Sequence, residues 1–118
     1  MEIKISKNRK GIHLVELCGV MDLCGSNELK DLVMKMIENK VECYIISLEK
    51  VESINSSGIG SLIYIFSTLK KLKNPVIILC SGGPVLEALE SARLKSYFKI
   101  APTLKEAVAK IGQSATNS

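Results

Sequence analysis

The segment of residues 55–60, Asn-Ser-Ser-Gly-Ile-Gly, contains the residue types best suited to chemistry in this chain of 118 residues. They connect two apolar segments, and three roles are open to them. Glycines before a helix can expose backbone N–H groups that bind a phosphate. A serine acts as a nucleophile when a base lies beside it. A serine at a helix start is also a suitable site for regulatory phosphorylation.

The two glycines, Gly58 and Gly60, match a nucleotide-binding loop only in part. A dinucleotide fingerprint is G-x-G-x-x-G, and Ile63 occupies the position of its third glycine. A Walker loop is G-x-x-x-x-G-K-[ST], and no lysine lies near these glycines. An NTP-binding or phosphotransfer enzyme that uses the Gly58/Gly60 loop stays as an alternative, resting on generic anion binding at a helix start.

A serine nucleophile needs a base, and His13 is the single histidine of the chain. Ser56, His13 and Asp22 would complete a catalytic triad on paper. The nucleophile elbow G-x-S-x-G is absent, however, because Ile54 stands two residues before Ser56. His13 lies early in a predicted strand, which favours a structural or surface imidazole. We therefore expect no catalytic residue and no enzyme activity.

The third role agrees with what serine and glycine do at a helix start. Serine is a good N-cap, and two glycines allow a sharp turn from strand to helix. The positive end of the helix dipole tolerates a phosphate with a charge of about −2, so a modified domain need not unfold. A docked partner would experience that charge strongly. Composition and spacing leave open whether the segment is a plain helix start or such a switch.

The composition excludes several other functions. Hydrophobic residues make up 47% of the chain and aromatic residues 4%, which predicts one domain with a core of Leu, Ile and Val. The net charge is +4 and the basic residues lack interleaved aromatics, so we expect no nucleic-acid binding. We expect no membrane span and a cytoplasmic location, because the longest apolar run, residues 59–69, is too short for a bilayer. No C-x-x-C pair occurs, so we predict no metal site and no cofactor. We expect Cys18, Cys24, Cys43 and Cys80 to be buried, reduced thiols.

Strand-like and helical periodicities alternate along the chain. They predict strands over residues 2–6, 12–20, 41–48, 76–80 and 97–101. Helices are predicted over residues 25–40 and 57–73 and from Pro84 onward. A last helix is predicted from a capping box at Thr103 and Glu106 to residue 111. The order β-β-α-β-α-β-α-β-α predicts an α/β fold with a mixed, mostly parallel sheet and helices packed against it. One domain is expected over residues 1–111, followed by a polar, disordered tail over 112–118.

With residues 55–60 between this strand and this helix, the chain resembles the STAS-domain anti-sigma factor antagonists, which typically have Asp-Ser-Ser-Gly-Leu-Gly there. Residues 19–22, Gly-Val-Met-Asp, look like the Gly-x-x-Asp of that family. Residues 81–84 and 94–100 are similar to its C-terminal part. The resemblance covers residues 3–111 and implies a single STAS-like domain.

The resemblance also implies a mechanism and its site. Unmodified members of the family bind an anti-sigma factor, which is itself a serine kinase with a histidine-kinase-like fold. Phosphorylation of the first serine after the Asp releases the partner, and a serine phosphatase resets the switch that regulates sigma-dependent transcription. Carried over, the acceptor is Ser56, and the partner-binding residues are Asp22, Asn55, Ser56, Ser57, Gly58 and Ile59. Asn55 stands where the family often has Asp, so the charge beside the acceptor is lost. STAS domains also serve beside transporters, and a STAS subunit of a transporter or stress-signalling complex is the alternative.

Overall fold

The computed structural model describes the backbone of residues 1–116 and the side chains of residues 1–112. Strands and helices in this part of the chain follow the predicted order. The strands are β1 (Glu2–Lys7), β2 (Ile12–Met21), β3 (Cys43–Ile54), β4 (Val76–Leu79) and β5 (Ile100–Ala101). The helices are α1 (Leu23–Glu38), α2 (Ser56–Lys71), α3 (Pro84–Ser91) and α4 (Leu104–Thr116). The predicted fold class is confirmed.

The strands form one sheet in the order β1-β2-β3-β4-β5. β1 and β2 form an antiparallel hairpin, and the other neighbours are parallel because a helix returns the chain to the same edge between them. At the end of β2 and β3, Met21 pairs with Ile54. Helices α1 and α2 follow these two residues, so both helices begin side by side at the carboxyl edge of the sheet.

The core has two parts, one on each face of the sheet. Alternate residues of a strand point to opposite faces, so Tyr44 and Ile46 lie in the cluster packed by α1, α2 and α3, whereas Ile45 packs with α4. Residues 44–48 are therefore all buried. This agrees with the continuous apolar pattern that predicts a central strand.

Strand β3 is longer than the sequence predicts. It continues beyond residue 48 to Ile54, and Val51 pairs with Gly19 after a register shift between β2 and β3. The prediction of a loop here is wrong. Glu49, Lys50 and Glu52 are exposed, so the apolar pattern of the strand stops after residue 48. The backbone pairing with β2 nevertheless continues to Ile54. Conversely, β5 has two residues instead of the predicted five.

The last helix begins where the capping box predicts. The Oγ1 of Thr103 accepts a hydrogen bond from the backbone N–H of Glu106 at 3.2 Å. Helix α4 then runs to Thr116 and includes residues 112–116, which the sequence assigns to a tail. Residues 117 and 118 lie outside the described part of the chain, and the disorder of the tail stays a prediction.

The prediction of buried thiols is wrong for two of the four cysteines. Cys80 is buried and Cys43 is half-buried, but Cys18 and Cys24 are exposed, and all four are free. Cys18 is exposed because α4 packs over β3, β4 and β5 and leaves this part of β2 uncovered. Cys24 lies in the first turn of α1, which begins earlier than predicted.

The residues that the structure describes contain no group of three or more His, Cys, Asp or Glu side chains arranged to hold a metal ion. None of the helices in this range combines the length and the apolar character needed to cross a membrane.

Candidate functional site

Two helix N-termini meet at the carboxyl edge of the sheet, and each is capped by a side chain. The Oδ1 of Asp22 accepts a hydrogen bond from Gly25 N at 2.9 Å at the start of α1. The Oδ1 of Asn55 accepts one from Gly58 N at 3.0 Å at the start of α2. The backbone N–H of Asn55 also donates to Met21 O at 3.4 Å. This edge therefore presents the positive ends of two helix dipoles.

The cap of α2 is an asparagine and not a serine, so the predicted serine cap is wrong. Asn55 has the extended backbone typical of an N-cap, and Ser56 is the first residue of the helix. Ser56 is exposed, and no described residue forms a hydrogen bond with its hydroxyl. Because Asn55 already satisfies the helix end, this hydroxyl is free to meet solvent or another molecule.

Asn55 stands where the family that the sequence resembles often has Asp. Its role as a cap explains why Asn in place of Asp has little effect on the structure. Asn and Asp are about equally good N-caps. The exchange therefore keeps the hydrogen bond to Gly58 N. It removes a negative charge from the residue next to Ser56.

The two glycines of the segment have different roles, and neither provides the predicted sharp turn. Both lie inside α2, and neither has a positive φ. Gly58 is buried, and a Cβ there would lie 2.6 Å from Ile54 Cγ1 and 3.0 Å from Met21 O. Gly60 is exposed, with no atom within 4 Å of such a Cβ. Gly58 is thus needed for close packing of α2 against the ends of two strands.

The geometry is unfavourable for a nucleotide loop at these glycines. Gly58 N is already bonded to the Asn55 side chain, and the residue is packed against Ile54. A phosphate cradle needs free N–H groups in an open loop.

The catalytic triad considered above is excluded by distance. His13 lies near the start of β2 and pairs with Tyr44, whereas Ser56 lies two residues after Ile54, which pairs with Met21 at the other end of β2. Met21 lies eight positions after His13 along the strand, which corresponds to about 25 Å. His13 is therefore too far from Ser56 to act as its base.

The remaining predicted site residues lie near Ser56, either in the first turn of α2 or at the start of α1. Ser57 and Ile59 are half-buried, and they occupy the first turn of α2 with Ser56 and Gly58. Asp22 is exposed at the adjacent helix start. The structure thus brings all six predicted partner-binding residues to one edge of the sheet.

One residue at this edge is missed by the sequence reasoning. Leu23 is the first residue of α1 and has 62% of its surface exposed. It is the counterpart of Ser56 at the neighbouring helix start. The available signal was that Leu23 precedes the predicted helix and falls outside its apolar stripe. We refer to Asp22, Leu23, Asn55 and Ser56 together as the N-cap surface.

Comparison with known proteins adds a family and a fold. The family model described as STAS domain matches residues 4–107. A solved anti-sigma factor antagonist from Mycobacterium paratuberculosis superimposes with a TM-score of 0.83 at 19% identity, covering 93% of this chain and 92% of that chain.

Two other solved structures have the same fold. The Bacillus cell fate determinant SpoIIAA in its phosphorylated form has a TM-score of 0.70 at 17% identity, covering 93% of this chain and 99% of that chain. A sulfate transporter family protein from Wolinella succinogenes has a TM-score of 0.76 at 15% identity, covering 94% of this chain and 92% of that chain. At these identities the likeness shows the fold alone. The family match covers most of the sequence, and the chain therefore belongs to the STAS domain family.

Proposed function

We propose that the protein is an anti-sigma factor antagonist that binds its partner through the N-cap surface and is released when Ser56 is phosphorylated. One observation carries the proposal: Ser56 is exposed at the first position of α2, and its hydroxyl has no hydrogen bond to a described residue. The phosphorylated state in which the Bacillus relative was solved supports the choice of a switch. In this role the chain is a binding module and not an enzyme.

The proposed switch acts on the complex and leaves the fold intact. A phosphate adds a charge of about −1.5 to −2 at Ser56. At a helix N-terminus an anion is stabilised by about 0.3–1 kcal/mol. In a packed contact, an unpaired phosphate costs several kcal/mol, and each 1.4 kcal/mol corresponds to about tenfold in affinity. The loss at the interface therefore exceeds the local gain.

The proposed partner is an anti-sigma factor with a histidine-kinase-like serine kinase fold, and a serine phosphatase would reset the switch. Incubation with such a kinase and ATP should phosphorylate the wild type and Ser57→Ala, but not Ser56→Ala. Ser56→Asp should lose partner affinity and keep its circular dichroism spectrum. Phosphate mapped to Ser57 would contradict the choice of acceptor, and a Ser56→Asp variant with wild-type affinity would contradict the mechanism.

A second function is favoured by the transporter relative. The sulfate transporter family protein covers almost the whole chain, so a STAS subunit of a transporter or stress-signalling complex is the alternative. The two functions differ in what the protein binds. Recovery of an integral membrane transporter with the tagged protein from solubilised membranes, in place of an anti-sigma factor from the soluble fraction, would favour the second.

A further inference from the structure

A cleft of about 570 Å³ lies at the end of the sheet opposite Ser56. The β1–β2 hairpin, the last turn of α1 and the start of β3 form its walls. A volume of this size lies within the range of small-molecule sites in proteins, which is about 300–1,000 Å³. The cleft is about 25 Å from the N-cap surface by the length of β2, so it is a separate site.

A histidine in the wall of this cleft has an unpaired ring nitrogen. The Nδ1 of His13 is buried and has no hydrogen-bond partner among the described residues. Its strand neighbours are Lys7 on β1 and Tyr44 on β3. The hydroxyl of Tyr44 already donates to Val41 O at 2.8 Å. Because a buried polar atom without a partner is unfavourable, a ligand in the cleft is a natural source of the missing hydrogen bond.

The charge of the cleft is positive. Lys7, Lys10 and Lys40 line it, and none forms a salt bridge with a described residue. Glu42 is the opposing carboxylate in the lining. Burial and the charge of Glu42 raise the pKa of the Cys43 thiol, so this thiol adds no negative charge at neutral pH.

The C-terminal end of α1 does not cancel this positive charge. Its dipole would disfavour an anion, but three of the last four carbonyl groups, those of Lys35, Met36 and Ile37, accept hydrogen bonds from backbone N–H groups that follow the helix. The N–H of Lys40 donates to Ile37 O at 2.9 Å, and the N–H of Val41 donates to Met36 O at 3.0 Å. The exposed charges in the cleft are therefore those of the lysines and Glu42.

Apart from Asn39, most of the remaining wall of the cleft is apolar. Ile5, Met36 and Val41 contribute to the lining, and Ile5 has 46% of its surface exposed although it is a large hydrophobic residue. A ligand that uses both the lysines and these side chains needs a charged head and an apolar body.

We propose that this cleft binds a small organic anion, with its carboxylate or phosphate head at Lys7, Lys10 and Lys40 and its apolar body against Ile5 and Met36. Because Nδ1 of His13 is closed to solvent in the present ring orientation, a polar atom of the ligand bonds to it after a rotation of the imidazole about χ2 that turns Nδ1 toward the cleft. The site is independent of Ser56 and goes beyond the proposed switch.

The proposal is tested by NMR titration of the ¹⁵N-labelled full chain with three probes that contain six carbon atoms each. Hexanoate and hexyl phosphate carry the two candidate heads, and hexanamide is the uncharged control. We expect saturable shifts at the amides of His13 and Lys40, and none at Ser56. At least one anion should bind about tenfold more tightly than hexanamide, because charge-assisted hydrogen bonds are the stronger ones. Equal affinity of hexanamide and both anions would overturn the proposal.

Variants test the residues of the cleft. Lys7→Gln combined with Lys40→Gln should weaken binding of the anion by about tenfold, whereas Lys105→Gln, an exposed lysine on α4, should leave it unchanged. His13→Phe should weaken binding without lowering the thermal midpoint, because it removes an unpaired buried nitrogen. Unchanged affinity in the double variant, or a destabilised His13→Phe protein, would contradict the proposal. If inorganic phosphate binds as tightly as hexyl phosphate, the proposed contact of an apolar body with Ile5 and Met36 is wrong.

Discussion

Substitution of the two glycines of α2 by alanine should move the stability in opposite directions. In a helix interior alanine is favoured over glycine by about 0.8–1.0 kcal/mol. At Gly60 the added Cβ meets no atom within 4 Å. Gly60→Ala should therefore raise the free energy of unfolding by up to about 1 kcal/mol, which corresponds to a thermal midpoint about 3–6 °C higher.

At Gly58 the same substitution meets the ends of two strands. The added Cβ would lie 2.6 Å from Ile54 Cγ1 and 3.0 Å from Met21 O, and the second of these is backbone. Displacing such neighbours in a packed region costs about 1–3 kcal/mol. This cost exceeds the gain in helix propensity, so Gly58→Ala should be less stable than the wild type. The gain in helix propensity is common to both variants, so they should differ by the packing cost of about 1–3 kcal/mol.

Urea unfolding followed by circular dichroism measures this difference. The slopes of the unfolding curves should agree among the three proteins, so that the midpoints report stability directly. If Gly58→Ala is as stable as Gly60→Ala, the close approach of α2 to Ile54 and Met21 is not a constraint. The reasoning on why this position is glycine would then be refuted.

Substitutions at four other positions give equally specific outcomes. Asp22→Asn should keep the cap of α1 and the thermal midpoint but weaken partner binding, whereas Asp22→Ala should also lose about 1 kcal/mol of stability in urea unfolding. Leu23→Ser should reduce partner affinity in calorimetry with little change in stability, because the side chain is 62% exposed. Asn55→Asp should remain as stable as the wild type in thermal unfolding, and Asn55→Ala should lose about 1 kcal/mol; equal stability of both would contradict the cap. Burial, with a smaller effect from the charge of Cys43, raises the pKa of Tyr44 to about 12. The unfolded chain therefore ionises first, and the free energy of unfolding should fall by up to about 2–3 kcal/mol between pH 10 and 12; Tyr44→Phe should lack this decrease.

The order of elements was predictable because apolar periodicity and breaker residues are local signals. Pro84 is the first residue of α3, as its missing N–H and fixed φ require. The hydroxyl of Thr103 caps α4. The STAS fold followed from these elements together with the match of residues 55–60 to the family.

The missed features depend on contacts between distant residues. The second half of β3 is held by pairing with β2, which the exposed residues Glu49 and Lys50 do not reveal. The sequence does not distinguish Asn55 from a serine as the cap, because both residue types are good caps and the predicted helix start lies one residue too late. The packing role of Gly58 depends on Met21, which is 37 positions away in the chain but adjacent across the sheet.

The order of the strands also determines where another polypeptide can extend this sheet. The two outer strands are β1 and β5. β5 has only two residues and offers little backbone for pairing, whereas β1 has six. Along β1, Glu2, Lys4 and Ser6 point to one face, and charged residues on an outer strand oppose accidental pairing between molecules. Of these two outer strands, β1 therefore has the backbone length that strand addition needs, and the charges of Glu2 and Lys4 protect it from addition of an unmatched segment.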